Sequence, residues 1–256
     1  MNADPTAGWI KADWSAPPGV HALTTTRDIN VGNRNGEAWA AVAASRRVVQ
    51  AATLGNVGHL QWLDQVHGDG CIRADAGSCQ SVPQGDAAWT NERGVGLAIH
   101  SADCVPVALA TADGQSIGAA HGGWRGLTGG VIASLVSAMR RDGSQSPLSA
   151  WIGPAIGPDA YEVGEDVHAA VLAATSRSLE GQFFHAAGKP DKWRLDLFAL
   201  AEWLLRQAGV ERIVCERICT WSNAHLYSHR REGATGRMAT VVWKEPSEAA
   251  WVFMLD

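Results

Sequence analysis

Three side chains of types that bind transition metals fall within one part of the chain. His67 lies in the segment QVHG, Cys104 in SADCVP and His121 in AAHGGWRGL. A thiolate and two neutral imidazoles are suitable ligands for zinc, and three protein ligands leave one coordination position for water or substrate. A structural zinc normally has four protein ligands. These residues therefore predict a catalytic metal centre with zinc as the metal.

The residues around these ligands also point to a site. SADC and AAHGGW place polar side chains inside otherwise apolar, strand-like segments. An unpaired polar group is costly in such surroundings, so these side chains are expected to have partners or a function. Asp103 stands beside Cys104, and Asp86 precedes an apolar run in QGDAAWT. Both carboxylates are candidate catalytic groups for proton transfer, and Cys104 is also a candidate nucleophile.

A glycine-rich turn directly follows His121. In HGGWRGLTGG the backbone can approach a ligand closely, and the helix expected after it offers free N–H groups to an anion. Arg125 adds a forked donor pair, and Trp124 is a candidate surface for stacking a base. We therefore interpret Gly122, Gly123, Trp124 and Arg125 as substrate- or phosphate-binding. The alternative interpretation is a tight turn packed under Trp124.

Composition narrows the class of protein. The chain has 256 residues, 46% of them hydrophobic and 18% charged, which is enough for a large core in one domain spanning 1–256. The net charge of −5 and the lack of a basic stripe argue against a nucleic-acid partner. We find no signal peptide and no apolar run of the roughly 18 residues that span a membrane. We therefore expect a cytoplasmic protein with no membrane partner and, because the five cysteines are an odd number, reduced thiols. Nothing in the sequence predicts an oligomeric state.

Strand-like and helix-like segments alternate along the chain. Strands are predicted in VHALTTTR, HLQWLDQVH, VGLAIHSADCVPVALAT, QSIGAAHGG and SAWIG, and in the closing run from RIVC to MATVVW. Helices are predicted in GEAWAAVAASRRVVQAATLG, GLTGGVIASLVSAMRRDG, GEDVHAAVLAATSR and LDLFALAEWLLRQAGV, the first ending at Gly55. Because a regular βαβ cadence is missing, these elements predict an α/β protein of the α+β type, with a mixed β-sheet core flanked by helices.

An ordered set of motifs resembles a known family. QVHG, DAAWT, SADCVPV, AAHGGWRGL, WIGPAIGP, YEVG and SHRREGATGRMA are similar to the successive motifs of the YfiH-type laccase-domain family. This family is also called the purine nucleoside phosphorylase or polyphenol oxidoreductase family and, in some bacteria, a peptidoglycan editing factor. The resemblance extends from Val20 to Trp243. It implies a single mixed α/β domain with zinc on His67, Cys104 and His121, copper being the metal of the older oxidoreductase label.

The resemblance also implies an activity. It implies phosphorolysis of adenosine, inosine, guanosine and methylthioadenosine, with adenosine deamination as a further activity, so a small nucleoside and phosphate are the expected partners. Phosphorolysis requires donors that hold phosphate beneath an oxocarbenium-like sugar, and on this basis Arg27, Arg125 and Arg230 are candidate phosphate ligands. Deamination requires a carboxylate that shuttles protons near the metal, and Asp103 or Asp86 would supply it.

The chain departs from the family pattern at three places. The glycine-rich connection that relatives have after TTTR is missing in TTTRDINVG, tyrosine is usual where this chain has His229, and alanine is usual at Gly123. The ligand set is intact, so we expect these changes to alter substrate choice rather than metal binding.

Three other functions remain open at this stage. Cys104 with a histidine base also fits a thiol hydrolase that acts on an amide of a peptidoglycan precursor. A copper-dependent phenol oxidase is the older family label, although the sequence shows no second histidine cluster for copper. A non-enzymatic metal-binding protein would show no turnover of any nucleoside.

Overall fold

The computed structural model describes residues 4–55, 58–141 and 144–245. The strands of this part of the chain are β1 (Ile10–Lys11), β2 (Val20–Thr24), β3 (His59–Gln61), β4 (Cys71–Arg73), β5 (Ala87–Thr90), β6 (Val95–Ser101), β7 (Val105–Thr111), β8 (Ile117–Gly122), β9 (Leu148–Ile152), β10 (Glu162–Val163), β11 (Phe184–Ala186), β12 (Trp193–Leu195), β13 (Arg212–Cys215) and β14 (Met238–Lys244). Its α-helices are α1 (Trp39–Leu54), α2 (Trp124–Gly129), α3 (Val131–Met139), α4 (Glu165–Ala174), α5 (Glu180–Phe183), α6 (Leu197–Gln207) and α7 (His229–Glu232).

Two mixed sheets form the centre of the fold. The five-stranded sheet has the order β1-β2-β14-β6-β3, antiparallel except for the pair β3 and β6. The six-stranded sheet has the order β13-β9-β7-β8-β5-β4, antiparallel inside and parallel at both edges. A small antiparallel sheet joins β10, β12 and β11. These mixed strand directions confirm the predicted α/β class.

The two large sheets pack face to face. Leu97 and Ile99 of β6 belong to one buried cluster with Ala108 of β7 and Ile117 of β8, so residues of both sheets share this core. Such burial of apolar area is the main favourable contribution to folding. The contact fixes the five-stranded sheet against the six-stranded one and thereby fixes every loop that passes between them.

Helices cover the outer faces of this pair of sheets. On the five-stranded sheet, Val49 and Leu54 of α1 pack with Val241 of β14. On the six-stranded sheet, α3 and α6 pack into the largest buried cluster. A Cβ on Gly118 of β8 would lie 2.6 Å from the sulfur of Met139, so α3 packs against the sheet at a distance that only glycine permits. The result is a layered helix–sheet–sheet–helix arrangement.

The predicted elements agree with the structure in type and differ in extent. Helix α1 ends where Gly55 was expected to stop it. The helix predicted from Gly126 onward is two helices, because Gly130 between them adopts φ 99°, a left-handed conformation that interrupts the helix. The strand predicted in HLQWLDQVH is limited to His59–Gln61, and its last residues form a loop. Within the described residues, no helix has the length and apolar character needed to cross a membrane.

Candidate metal centre

Cys104 lies where the chain crosses from one large sheet to the other. Strand β6 ends at Ser101 in the five-stranded sheet, and β7 begins at Val105 in the six-stranded sheet. Within the connecting turn Asp103 has φ 99°, an uncommon conformation for a residue with a side chain. His121 is on β8, opposite Pro106 of β7. This crossing places the thiol of Cys104 beside the imidazole of His121.

The three predicted ligands converge. One ligand atom from each of His67, Cys104 and His121 lies within 4.8 Å of the others, and the Cys104 Sγ to His67 Nε2 distance is 3.9 Å. In a tetrahedral zinc site with bonds of about 2.3 Å to sulfur and 2.0 Å to nitrogen, these two ligand types lie about 3.5 Å apart. The donor types and their spacing therefore fit a transition metal. His121 is buried and His67 is exposed, so the site is accessible from the side of His67.

Asp86 binds two of the candidate ligands, His67 and His121, through groups that do not face the metal cavity. Its carboxylate is fully buried, and its Oδ1 accepts hydrogen bonds from Nδ1 of His121 at 2.8 Å and from the backbone N–H of His67 at 3.0 Å. Its Oδ2 accepts from the N–H groups of Val66 at 3.1 Å and Gly68 at 2.7 Å. Since Nδ1 of His121 donates to Asp86, Nε2 remains as the ligand atom, as in many histidine metal sites.

The position of Asp86 makes it a positioning residue. Burial acts to raise the pKa of Asp86, but the hydrogen bonds from His121 and from the loop N–H groups outweigh burial and lower it, so the carboxylate stays ionised. Its two oxygens together accept four hydrogen bonds, and it does not line the cavity at the metal site. Sequence reasoning identified Asp86 as an unusual carboxylate, while the structure places it behind His121 rather than toward a substrate.

His67 is held in a strained backbone conformation. Its φ is 63°, in the left-handed region, which costs on the order of 1–3 kcal/mol for a residue with a side chain. Asp86 compensates by binding the N–H groups of residues 66 to 68. The loop is therefore fixed with the imidazole of His67 aimed at Cys104.

The two glycines after His121 make room for the ligands. A Cβ on Gly123 would lie 2.8 Å from Cδ2 of His67 and 3.2 Å from Sγ of Cys104, and a Cβ on Gly122 would lie 2.9 Å from the carbonyl oxygen of Val105. This space is occupied by protein atoms, so the structure gives these glycines a packing role.

Cys104 and His121 stabilise one another as an ion pair. Burial opposes ionisation of the Cys104 thiol, but the charge and hydrogen bond of His121, with a further contribution from His67, lower the pKa of Cys104 to about 6. Burial likewise opposes protonation of His121, but the Cys104 thiolate and the Asp86 carboxylate raise its pKa to about 9. The thiolate is the form of cysteine that binds metals, so the lowered pKa of Cys104 favours binding of a metal cation.

The ligands open into a cavity of about 450 Å³, which we call the metal cavity. This volume is in the range of roughly 300–1,000 Å³ that small-molecule sites occupy. Besides the three ligands, its polar lining consists of Arg34, Gln65, His100, Ser101, His229 and Arg237.

Several of these lining groups have defined hydrogen-bonding states. The amide of Gln65 donates to the carbonyl of His100 at 2.8 Å and accepts the N–H of His100 at 2.9 Å, which ties the ligand loop to β6. Nδ1 of His229 donates to the carbonyl of Gly233 at 2.6 Å, which leaves Nε2 as an acceptor when the ring is neutral. The buried hydroxyl of Ser101 has no hydrogen-bond partner among the described residues.

Charge in the metal cavity is predominantly positive. Burial, followed by the charges of His121, Arg46 and Arg237, lowers the pKa of His100 to about 3, so this imidazole is neutral at pH 7. Burial also lowers the pKa of Arg237, a change that leaves a guanidinium charged at pH 7. With Arg34 at the same wall, the cavity favours an anionic or electron-rich ligand.

Asp103 is engaged with the neighbouring loop. Its Oδ1 accepts the hydroxyl of Thr220 at 2.5 Å, and its Oδ2 accepts the backbone N–H of Arg230 at 2.6 Å. It does not line the metal cavity. The carboxylate therefore anchors the start of α7 to the turn that carries Cys104.

The arginines predicted from the motifs are bound to other parts of the protein. Arg27 donates to the carbonyl of Ala224 at 3.2 Å and pairs with Glu232 at 3.4 Å. Arg230 donates to the carbonyl of Glu162 at 2.9 Å. Neither residue lines the metal cavity.

Trp124 and Arg125 lie on a different surface from the metal cavity. The guanidinium of Arg125 lies 4.2 Å from the ring centroid of Trp124, and both line a shallow depression between α2 and α4. Because α2 has only six residues, its first turn is also a weak anion site. Of the residues singled out in the sequence, the structure thus brings together the three ligands and Asp86, with Gly123 packed against His67 and Cys104. The other side chains predicted to bind phosphate or substrate do not line the metal cavity: Arg27, Trp124, Arg125 and Arg230.

The cavity residues that sequence reasoning missed are Arg34, His100 and Arg237. They are separated by more than sixty residues at each step and belong to different elements, so no local pattern connects them. The only available signal was indirect, because Arg237 lies in the motif ATGRMA and Arg34 lies in the loop after Arg27.

Comparison with known proteins decides the family. A family model described as multi-copper polyphenol oxidoreductase laccase matches residues 19–245. The chain belongs to this family. It is the YfiH-type laccase-domain family that the motifs resembled, and the match includes all three candidate metal ligands.

Relatives in the YfiH-type family carry informative names. A protein of Xylella fastidiosa strain Temecula1 named purine nucleoside phosphorylase is 42% identical, with 92% of this chain and 96% of the relative covered. Purine nucleoside phosphorylase YfiH of Escherichia coli K12 is 35% identical, with 91% of this chain and 98% of the relative covered.

Solved structures of YfiH-type proteins confirm the fold. Protein NMB0706 of Neisseria meningitidis superposes with a TM-score of 0.84 at 34% identity, covering 93% of this chain and 99% of that one. YlmD of Geobacillus stearothermophilus superposes with a TM-score of 0.83 at 28% identity, covering 96% and 98%. The mixed α/β fold is therefore that of the family.

Proposed function

We propose that this protein is a metal-dependent purine nucleoside phosphorylase. The observation that carries the proposal is the convergence of His67, Cys104 and His121 at the base of a cavity with cationic walls, in a family whose relatives bear that enzyme's name. Adenosine, inosine, guanosine and methylthioadenosine are the proposed substrates, with inorganic phosphate as the second substrate.

The reaction sets clear requirements for the cavity. Phosphate oxygen forms a bond to C1′ of the pentose while the bond from C1′ to the purine nitrogen breaks, and the departing base takes up a proton. The products are a pentose 1-phosphate and a free purine. The transition state carries positive charge on the sugar and negative charge on phosphate and base, so donors and cations fixed in place before the reaction lower its barrier.

Residues of the metal cavity match these requirements. Arg34 and Arg237 supply cationic donors for phosphate, and the ring of His229, held through Nδ1 by the carbonyl of Gly233, leaves Nε2 for a sugar hydroxyl. The hydroxyl of Ser101, buried without a protein partner, is available to a ligand. The cavity volume of about 450 Å³ is within the range of sites that bind small molecules.

Zinc is the metal that we propose for the three ligands. A set of two imidazoles and one thiolate suits zinc and also suits copper, and the spacing of the donors does not distinguish the two metals. When bound, the metal supplies Lewis-acid polarisation and a water of lowered pKa. Among the described residues, His67, Cys104 and His121 are the one group that offers three metal ligands. A multi-copper oxidase would need further clusters, so this observation favours a single-metal enzyme.

Adenosine deamination is the second activity that we propose to measure. It requires a proton carrier at the purine, and the predicted carriers Asp86 and Asp103 both use their oxygens within the protein. Another cavity group would have to move the proton, so we expect deamination to be slower than phosphorolysis.

A nucleoside panel tests the proposal. Metal-replete protein is incubated with each nucleoside, with and without phosphate, and bases and deaminated products are separated by chromatography. We expect base release that requires phosphate and is lost in Cys104→Ala, while Cys79→Ala, a matched change at a half-buried cysteine that does not line the metal cavity, retains it. Base release by Cys104→Ala at the wild-type rate would exclude the metal site as the catalytic centre.

A further inference from the structure

A second cavity adjoins the metal cavity. It has a volume of about 420 Å³, and it shares Arg34, Gln65, His100 and Arg237 with the metal cavity as a common wall. Its own lining adds Trp39 and Arg46 of helix α1. We call it the arginine lobe, because three guanidinium groups, those of Arg34, Arg46 and Arg237, line it.

One short backbone segment positions these arginines. The carbonyl of Val31 accepts Nε of Arg46 at 3.0 Å, and the N–H of Val31 donates to the carbonyl of Arg237 at 3.0 Å. Asn30 accepts the N–H of Arg237 at 2.8 Å and the N–H of Gly32 at 3.1 Å. The loop that follows Arg27 is therefore the part of the chain that organises the arginine lobe.

Close packing around Gly32 supports this arrangement. A Cβ at Gly32 would lie 2.7 Å from Cγ of Arg237, so a larger residue there would displace the arginine. Arg237 uses Nη1 for the carbonyls of Thr235 and Gly236, at 2.8 and 2.9 Å. Those bonds fix the plane of the guanidinium and leave its other N–H groups for a ligand.

The cations of the lobe lack compensating acids. Among the described residues, none of the three arginines forms an ion pair with a carboxylate, and the one acid that lines the lobe, Asp64, is exposed. Arg46 is half-buried, with its guanidinium 4.4 Å from the ring centroid of Trp62 and 5.9 Å from that of Trp39. Like charges held together in a partly desolvated cavity repel one another unless an anion joins them.

From this geometry we propose that the arginine lobe binds a phosphoryl dianion, which lies between Arg34 and Arg237 on the wall shared with the metal cavity. Forked guanidinium donors match the tetrahedral oxygens of a phosphoryl group. This anion is free inorganic phosphate in the proposed reaction, a role that rests on the proposed function. A phosphoryl group carried by a nucleotide has the same chemistry, and Trp39, 61% exposed at the rim, would lie beside its base.

Binding measurements test the lobe without requiring turnover. Inorganic phosphate and adenosine 5′-monophosphate are titrated separately into the metal-replete protein by calorimetry at constant ionic strength. We expect Arg34→Met to weaken phosphate binding by about 10- to 100-fold, which corresponds to the loss of charge-assisted hydrogen bonds. Arg34→Lys, which keeps the charge without the fork, should recover part of the affinity. Arg47→Met removes an exposed arginine of α1 that does not line the lobe, and it should bind phosphate like the wild type.

Steady-state kinetics distinguish a failure of the proposed function from a failure of the arginine-lobe proposal. If nucleosides are phosphorolysed, Arg34→Met should raise the KM for phosphate by the same factor and leave the KM for the nucleoside unchanged. Phosphate binding that depends on Arg34 in a protein that releases no base supports the lobe and contradicts the proposed function. Binding of the nucleotide alone, also lost in Arg34→Met, supports the lobe and assigns its anion to a carried phosphoryl group. Equal affinities of wild type, Arg34→Met and Arg237→Met for both probes would overturn the proposal.

Discussion

Replacement of Asp86 by asparagine tests whether this carboxylate acts by positioning His67 and His121 rather than by transferring protons. The carboxylate serves four donors, two on each oxygen. An asparagine has one carbonyl oxygen and one NH₂ group. If the NH₂ group takes the place of Oδ2, it faces the N–H groups of Val66 and Gly68. If it takes the place of Oδ1, it faces the N–H of His67 and Nδ1 of His121.

Either orientation therefore leaves two buried donors without an acceptor. Each such donor costs about 1–3 kcal/mol, so the metal-free Asp86→Asn protein should be less stable by about 2–6 kcal/mol. In the second orientation Nδ1 of His121 can recover a bond only as an acceptor, and the proton then moves to Nε2, the atom needed for the metal. We therefore also expect metal affinity to fall by about 10- to 100-fold, as for other partners of metal-binding histidines.

Two assays measure these effects independently. Urea unfolding of chelator-stripped protein reports stability, and competition with a chromophoric chelator reports zinc affinity. Asp69→Asn is the matched control, because Asp69 is an exposed carboxylate in the same loop. A stability change below about 0.5 kcal/mol, the usual range for neutral surface substitutions, together with unchanged zinc affinity would refute the role given to Asp86.

Three further predictions concern the residues beside the metal. In metal-free protein, alkylation of Cys104 should be fast at pH 7, and its rate should fall as the pH drops through about 6, because the thiolate then becomes protonated. Burial raises the pKa of Cys71 and of Cys215 to about 12, so both should be alkylated slowly. Peptide mapping measures the rate at each cysteine, and added zinc should protect Cys104. Asp103→Asn should lower the free energy of unfolding by about 1–3 kcal/mol and preserve turnover, since asparagine tolerates the positive φ of this position. A fall in the turnover rate of about 10²- to 10⁴-fold with stability retained would instead identify Asp103 as a proton carrier. Gly123→Val should weaken zinc binding by about 5- to 100-fold through crowding of His67 and Cys104, while Gly129→Ala, where a Cβ meets nothing within 4 Å, should leave it unchanged in the same chelator competition.

The convergence of the three candidate ligands was predictable because part of its signal is local. Cys104 and His121 each place a polar side chain in an otherwise apolar segment, and this conflict with the burial pattern marks a functional position. The class of fold was predictable for a similar reason, because helical and strand-like periodicities persist over whole elements. The break at Gly130 was not, since the helical periodicity continues across this glycine and does not indicate that it adopts φ 99°.

The walls of the cavity could not be read from the sequence. Arg34 and Arg237 meet only because Asn30 and Val31 hydrogen-bond to the backbone of Arg237, more than 200 residues away in the chain. Arg125 has the same residue type and stands in the motif AAHGGWRGL, yet it lies over Trp124 and does not line the metal cavity. Residue type and motif position therefore identified three side chains that converge as a candidate metal site, whereas long-range hydrogen bonds between loops determine which arginines line the cavity.

Identification of the sugar product tests the central claim most directly. Metal-replete protein is incubated with inosine and phosphate, phosphorus NMR quantifies pentose 1-phosphate, and chromatography quantifies hypoxanthine in the same sample. The account predicts one pentose 1-phosphate for each purine released, with neither product formed by Cys104→Ala. Release of base without pentose 1-phosphate, or the same yield from Cys104→Ala, would contradict a phosphorylase centred on His67, Cys104 and His121.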